Sequence, residues 1–285
     1  MVNPYLVNTN STIYNTTKFN VVVMSKMEFE GSIFKDFTGR DEKLKQIVRF
    51  NMYPVMYYRT NLLTHSSRVC WLVEELTLLT SQTWIGFNQE LTRTLALVHD
   101  DAEIITGDVQ LGHKLEMSAE QLAVIDEQES AAIDTLSQTF PPSINGFPYR
   151  QLLTHALEKD CIEAQIVSFA DKLDAYGESM HELFAGNTDF IPPCKNYTRI
   201  LTNFAHQFPQ LRDLFSHDHP LLLSPKDYDF GELAQNQQPH TPESIRINTG
   251  YPRYDFWKKL TIKKLGEGGV ALLVTQREFR KERES

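Results

Sequence analysis

Leu95–Asp108, LALVHDDAEIITGD, joins an apolar helical run to a cluster of metal-ligand residue types. Leu91, Leu95 and Val98 recur at helical spacing and lead directly into the adjacent pair His99-Asp100. Two more residues of the same kind stand elsewhere, His65 in THSSRV (64–69) and Asp171 in FADKLDAY (169–176). The separations, 99 − 65 = 34 and 171 − 100 = 71, are long enough for each to sit on its own helix. Two neutral imidazoles and two carboxylates make a mixed nitrogen/oxygen shell suited to Mn, Fe, Co, Ni or Zn. An ion held this way lowers the pKa of a bound water and polarises a phosphoryl oxygen, so the set implies metal-assisted hydrolysis of a phosphate ester. On one continuous helix His99 and Glu103 share a face while Asp100 is rotated by roughly 100°. The ligands therefore meet only if several helices converge, as in a bundle.

Helical patterning extends outward from this stretch. Val69, Leu72, Val73, Leu76 and Leu79 form one stripe over 66–80. The spacing predicts helices over 88–106, over 118–138 with Ser118 as N-cap, and over 149–185, with PPSINGFP (141–148) as a loop. Long amphipathic helices with almost no alternating runs predict an all-α bundle. Residues 1–42, rich in Asn, Thr and Ser around a β-like Val21–Val23, read as a partly ordered arm, and Met24 and Met27 leave the start open. The helical unit spans 43–190. Residues 191–285, with Pro192-Pro193 and a loop-rich tract at 224–244, read as an extension of mixed or irregular structure. Within it KKLTIKKL and VALLVTQ pair as a hairpin across Gly266–Gly269, or 253–265 is a helix; the pattern supports either.

Bulk properties narrow the function classes. At 285 residues and 41% hydrophobic content the chain can bury a full core. A net charge of -9 argues against binding a nucleic-acid polymer, but not against a small phosphorylated substrate met by a metal and a few arginines. The three cysteines, Cys70, Cys161 and Cys194, are far apart and imply no disulfide framework. No apolar run approaches a bilayer-spanning length, and no basic-then-apolar signal opens the chain, so the expectation is a cytoplasmic protein without membrane association. Lys258, Lys259, Lys263 and Lys264 read as a solvated basic face, and His113, His155 and His181 as ordinary histidines.

The order His…His-Asp…Asp on helices resembles the HD-domain metal-dependent phosphohydrolases, and within them the compact 5′-deoxynucleotidase group. HDDAEIITGD (99–108) resembles that group's His-Asp-x-x-Glu-x-x-x-Gly-Asp signature, EAQIVSFADKLDAY (163–176) its helix with the last metal Asp, and HELFAGN (181–187) the helix end beyond it. Arg49-Phe50 and Arg59-Thr60 resemble its Arg-aromatic and Arg-Thr pairs. The likeness covers about 45–190. It implies a single divalent metal on His65, His99, Asp100 and Asp171, with Arg49 on the substrate phosphate. It also implies Glu103 orienting or deprotonating water, Asp108 near the leaving oxygen or sugar, and a homodimer. The plain alternatives are a hydrogen bond to a ligand for Glu103 and a helix-ending turn for Gly107-Asp108. The implied reaction is release of phosphate from a (deoxy)nucleoside 5′-monophosphate. Triphosphate or alarmone hydrolysis at the same metal, or nucleotide sensing without catalysis, are the alternatives. Phe50 stands where the group has a Trp that helps exclude a ribose 2′-hydroxyl, and the loop after Asp108 lacks the group's proline, so sugar preference is left open.

Overall fold

Polar side chains fix where the site-bearing helices begin. Asn61 accepts a hydrogen bond from Thr64 N–H at 3.0 Å, Asn88 one from Leu91 N–H at 3.0 Å, and Ser118 forms a reciprocal capping box with Gln121. The computed structural model describes residues 32–279 apart from Pro54, Ile85, 224–227, 236–239 and 275–277. Most of the expected arm, including Val21–Val23, Met24 and Met27, lies outside the described residues.

The first helices are α1 (Arg40–Gln46), α2 (Leu62–Thr83), α3 (Gln89–Val98), α4 (Glu103–Thr106), α5 (Leu111–Lys114) and α6 (Ala119–Thr139). They are followed by α7 (Tyr149–Glu158), α8 (Ile162–Phe184), α9 (Ile191–Gln207), α10 (Phe230–Gln235), α11 (Pro252–Leu265) and α12 (Glu267–Leu273). Strand β1 (Val55–Met56) pairs antiparallel with β4 (Glu278–Phe279), and β2 (Ser143–Ile144) with β3 (Phe147–Pro148). The protein is all-α with these two minimal ribbons.

Helix α8 is the axle. It packs against α2, α3, α7, α9, α10 and α11, and is buried on nearly every side although it carries polar residues such as Asp174, Glu178, His181 and Glu182. From Glu163 to Phe184 every residue is buried except Asp171 and Lys172. That single break in burial marks where the cavity opens.

Four local expectations change. The helix over 88–106 ends at Val98, and the next turns are closed by short i→i+3 bonds such as Asp101 N–H to Val98 O and Glu103 N–H to Asp100 O. The helix over 149–185 is interrupted at Lys159, which takes left-handed geometry (φ 55°). The 141–148 loop is a tight hairpin, because Asn145 and Gly146 both adopt positive φ. Residues 252–265 and 267–273 are helices, so the alternative hairpin across Gly266–Gly269 does not form. The last region is also no detached appendage. One continuous set of buried apolar side chains runs from Phe34 through α8 and α9 to Leu273.

The expected solvated four-lysine face holds in part, with Lys259 and Lys263 exposed. Lys258 is buried and donates to Ile247 O at 2.9 Å, while Lys263 and Lys264 pair with Glu75 and Glu74 on α2.

Candidate metal centre and nucleotide pocket

Residues from three separate segments converge at one point. His65 lies on the first turns of α2, His99 and Asp100 follow the end of α3, and Asp171 faces them from mid-α8. His65 Nε2 stands 3.3 Å from His99 Nε2, 3.3 Å from Asp100 Oδ2 and 3.3 Å from Asp171 Oδ1, and His99 Nε2 is 3.3 Å from Asp100 Oδ1. Donors each about 2.0–2.2 Å from one ion sit roughly 3–3.5 Å from one another. The donor set and its spacing therefore fit a single first-row divalent ion, and His65, His99 and Asp100 together are a group able to hold one.

The broken helix explains how adjacent residues share this point. Asp101, next in the chain, is drawn the other way, into a fully buried network. Arg40 Nε and Nη2 donate to its two oxygens at 2.7 and 2.6 Å, and Tyr149 Oη donates at 2.7 Å. Arg40 Nη2 also donates to Leu97 O at 2.5 Å, holding the end of α3. With Asp101 anchored, the short turn carries His99 and Asp100 to the same side. His99 Nδ1 donates to Ala96 O at 2.8 Å in the tautomer that leaves Nε2 free for an ion.

Behind His65 the packing is closed. Its Nδ1 meets Asp174 Oδ2 at 2.7 Å. Arg68 grips Asp174 with two N–H groups at 2.6 and 2.9 Å, and Trp257 Nε1 of α11 donates to the same carboxylate at 2.7 Å. Arg68 further contacts Glu178 and Tyr58 Oη, and Glu178 accepts from Arg49 Nε at 2.9 Å. Burial alone would raise the Asp174 carboxyl, but Arg68 and the His65 hydrogen bond hold it below the usual carboxylate range. Trp257 reaches this depth because α8 has a glycine there: a Cβ at Gly177 would lie 2.5 Å from the indole ring.

In front of the ligands a cavity of about 220 Å³ is lined by Arg49, Phe50, Glu103, Asp108, Tyr197 and the lysines 114, 159 and 172, among others. Arg49 Nη1 lies 4.0 Å from Asp100 Oδ2, and burial working against its charge is outweighed by Glu178, Asp108 and Asp171. Glu103 Oε2 is buried without a hydrogen-bond partner among the described residues. Burial first, then the nearby Asp100 and Asp108, push the Glu103 carboxyl well above its normal range, and burial likewise raises Asp108. Phe50 is buried at positive φ (52°) against Phe190, with ring centroids 5.2 Å apart, and near Tyr53 and Tyr197.

Arg49, Phe50, His99, Asp100, Glu103, Asp108 and Asp171 thus line one cavity, with His65 touching Asp100 and Asp171, while Arg59 and Thr60 are not part of the lining. What the motifs did not name is the set behind it: Arg68, Asp174, Glu178 and Trp257. Part of that set carried a sequence signal, since Arg68 and Asp174 each lie three residues beyond His65 and Asp171, one turn along the same helix face. Trp257, 83 residues after Asp174 in the chain, carried none.

A sequence profile of the YfbR-like 5′-deoxynucleotidase family matches residues 36–217. The chain belongs to this family. A 5′-deoxynucleotidase of Vibrio vulnificus is 30% identical over 134 residues, 46% of this chain and 66% of that protein, so the match spans just under two thirds of that relative. A Yersinia pestis 5′-deoxynucleotidase is 30% identical over 155 residues, covering 52% of this chain and 75% of the relative. An HD-domain phosphohydrolase from Listeria innocua shares the fold, with a TM-score of 0.50 at 17% identity over 70% of this chain and 95% of that one. The family profile stops before α11, so Trp257 lies outside it. Among the described residues no helix is long and apolar enough to cross a membrane.

Proposed function

We propose that the protein hydrolyses nucleoside 5′-monophosphates, deoxyribonucleotides foremost, to nucleoside and orthophosphate. The observation that carries this reading is one cavity shared by four converging ligands, a buried arginine and an unpartnered carboxyl oxygen. His65, His99, Asp100 and Asp171 would hold one divalent ion, Mn, Co, Fe, Ni or Zn, which supplies water activation and phosphoryl polarisation.

The remaining roles belong to the chain's own groups. The Arg49 guanidinium, anchored through Nε by Glu178, keeps its other N–H groups for two phosphate oxygens. Glu103 takes the proton of the attacking water; burial raises its proton affinity, a shift that Arg49 opposes and a bound ion would oppose further. Asp108, also raised, carries the proton that the leaving sugar oxygen needs. Two carboxyls in one pocket thereby serve as base and acid. The water ends divided between the phosphate and the released nucleoside hydroxyl.

Phe50 with Tyr53 and Tyr197 would form the wall against the sugar. The homodimer and the cytoplasmic setting rest on the family resemblance. The test is orthophosphate release from a panel of deoxy- and ribonucleoside 5′-monophosphates with added Mn or Co. Release from none of them overturns the reading, and pyrophosphate or triphosphate released when the matching nucleoside triphosphates are added to the panel redirects it to polyphosphate cleavage.

A further inference from the structure

The cavity does not end at the metal ligands. It follows α8 back from Asp171 past Ser168 and Val167 to Ala164, about 10 Å along the helix axis at the α-helical rise, and on to the turn at Lys159. Positive groups follow one another along this path. Lys172 Nζ bonds Asp171 Oδ2 at 2.5 Å and lies within electrostatic range of Arg49. Lys159 interacts in turn with Lys172 and with Lys114. Between them the cavity has apolar walls from Ile133, Leu153, Ala156 and Leu157, a surface suited to a base or sugar.

Arg49 and the ion already meet the phosphate that is cleaved, which leaves the far lysines without an obvious task. Lys114 is paired with Glu129 at 3.1 Å. Lys159 donates one N–H to Leu157 O at 3.1 Å, and among the described residues no ion pair to a carboxylate is found for it. An ammonium has three N–H groups, so two stay available toward the cavity. Burial and the neighbouring Lys172 disfavour its charge, which Asp171 and Glu129 offset only in part. Holding like charges together in a chain of net charge -9 is a local strain that an anion would relieve.

We propose that Lys114, Lys159 and Lys172 form a second phosphate subsite. The preferred substrate then carries a phosphoryl group besides the one removed, attached either through the 5′ chain or on the 3′ oxygen. This rests on the phosphohydrolase reading above and gives it a substrate class. Lys172 also positions Asp171, so the distinguishing residues are Lys114 and Lys159.

The experiment compares deoxyadenosine 5′-monophosphate, its 3′,5′-bisphosphate and deoxyadenosine 5′-triphosphate. Both kcat/KM with metal and equilibrium binding in EDTA are measured, for the parent protein, Lys159→Gln and Lys114→Gln. The expected result is that one of the two more highly phosphorylated nucleotides binds about tenfold or more tighter than the monophosphate, the scale of one charge-assisted hydrogen bond. Each substitution should reduce that ratio by about the same factor. A 3′,5′-bisphosphate advantage puts the group on the sugar, and a triphosphate advantage puts it on the 5′ chain. Equal binding of all three nucleotides, or a ratio unchanged in both variants, overturns the subsite even if monophosphate turnover is found. A lysine-dependent binding advantage without turnover of any nucleotide would leave the subsite standing and sink the hydrolase reading instead.

Discussion

The two nitrogens of His65 look onto opposite kinds of environment. Nε2 faces the cavity, where Glu103 Oε2 has no hydrogen-bond partner among the described residues, the carboxyls of Glu103 and Asp108 are raised, and Lys159 has no ion pair to a carboxylate among those residues. Nδ1 faces a closed interior, where Asp174 is met by His65, Arg68 twice and Trp257. Groups left under-paired are available to a substrate. Groups paired to capacity hold a ligand still. On the proposed function, the difference separates the side that would do chemistry from the side that would set geometry, and it is built from the same residue types.

The strongest way to break this comparison is to remove a front carboxyl while leaving the back intact. Glu103→Gln keeps shape and burial but cannot accept the water's proton, so kcat should fall by about 10²–10⁴ with metal content unchanged. A variant that keeps its rate would remove Glu103 from the chemistry.

A second test addresses the closed side by pH. His181 and His240 stack at 4.1 Å between ring centroids; His181 bonds Tyr254 Oη and Leu273 O, at 2.7 and 2.8 Å. Burial depresses His240 to about 4 and His181 well below its normal value. Both are neutral in the native state and protonated when unfolded in acid. The stability from a neutral pair is therefore fully present above pH 6.5 and lost as pH falls toward 4. His240 alone accounts for about 3 kcal/mol across that window. Melting curves from pH 7.5 to 4 should show this decline, and His240→Gln should flatten part of it. A flat profile in the parent would contradict the burial argument.

A third, smaller effect sharpens the link between the two sides. Trp257→Phe keeps an aromatic ring over Gly177 but removes the N–H that steadies Asp174, so metal affinity should weaken by about tenfold. Calorimetric titration with Mn or Co reads this directly, without turnover. Unchanged affinity would mean that α11 packs behind the site without tuning it.

The smallest expected change concerns the sugar wall. Phe50→Trp restores the residue type of the 5′-deoxynucleotidase group and should shift the deoxyribose-to-ribose kcat/KM ratio severalfold, roughly the scale of a modest pocket contact. The added ring volume beside Phe190 should cost about 1–3 kcal/mol of stability. No change in the ratio would mean that sugar choice is made elsewhere in the cavity.

What the sequence made legible follows the same division. The ligand types were readable because a metal shell requires particular residues, whereas Arg49, Glu103 and Asp108 were readable only through the resemblance of their motifs to the family's. The helices were readable from apolar periodicity. Their breaks at Val98 and Lys159 were not, since both depend on tertiary events: Asp101 captured by Arg40 and Tyr149, and the chain reversing before α8. Asn145-Gly146 did carry a hairpin signal, and it was legible as more than a loop. Trp257 was invisible for a different reason. A long-range hydrogen bond to a shared carboxylate leaves no pattern in either segment, and only the glycine at 177 hinted that something large lies against α8.

The most direct measurement is a metal titration of the ion-free protein with phosphate release from deoxynucleoside 5′-monophosphates followed at each step. Turnover should rise in proportion to bound Mn or Co, level off at about one ion per chain, and vanish together with tight binding in Asp171→Asn. Full binding without any phosphate released, or turnover that survives loss of the ion, would contradict a single-metal phosphohydrolase built on these four ligands.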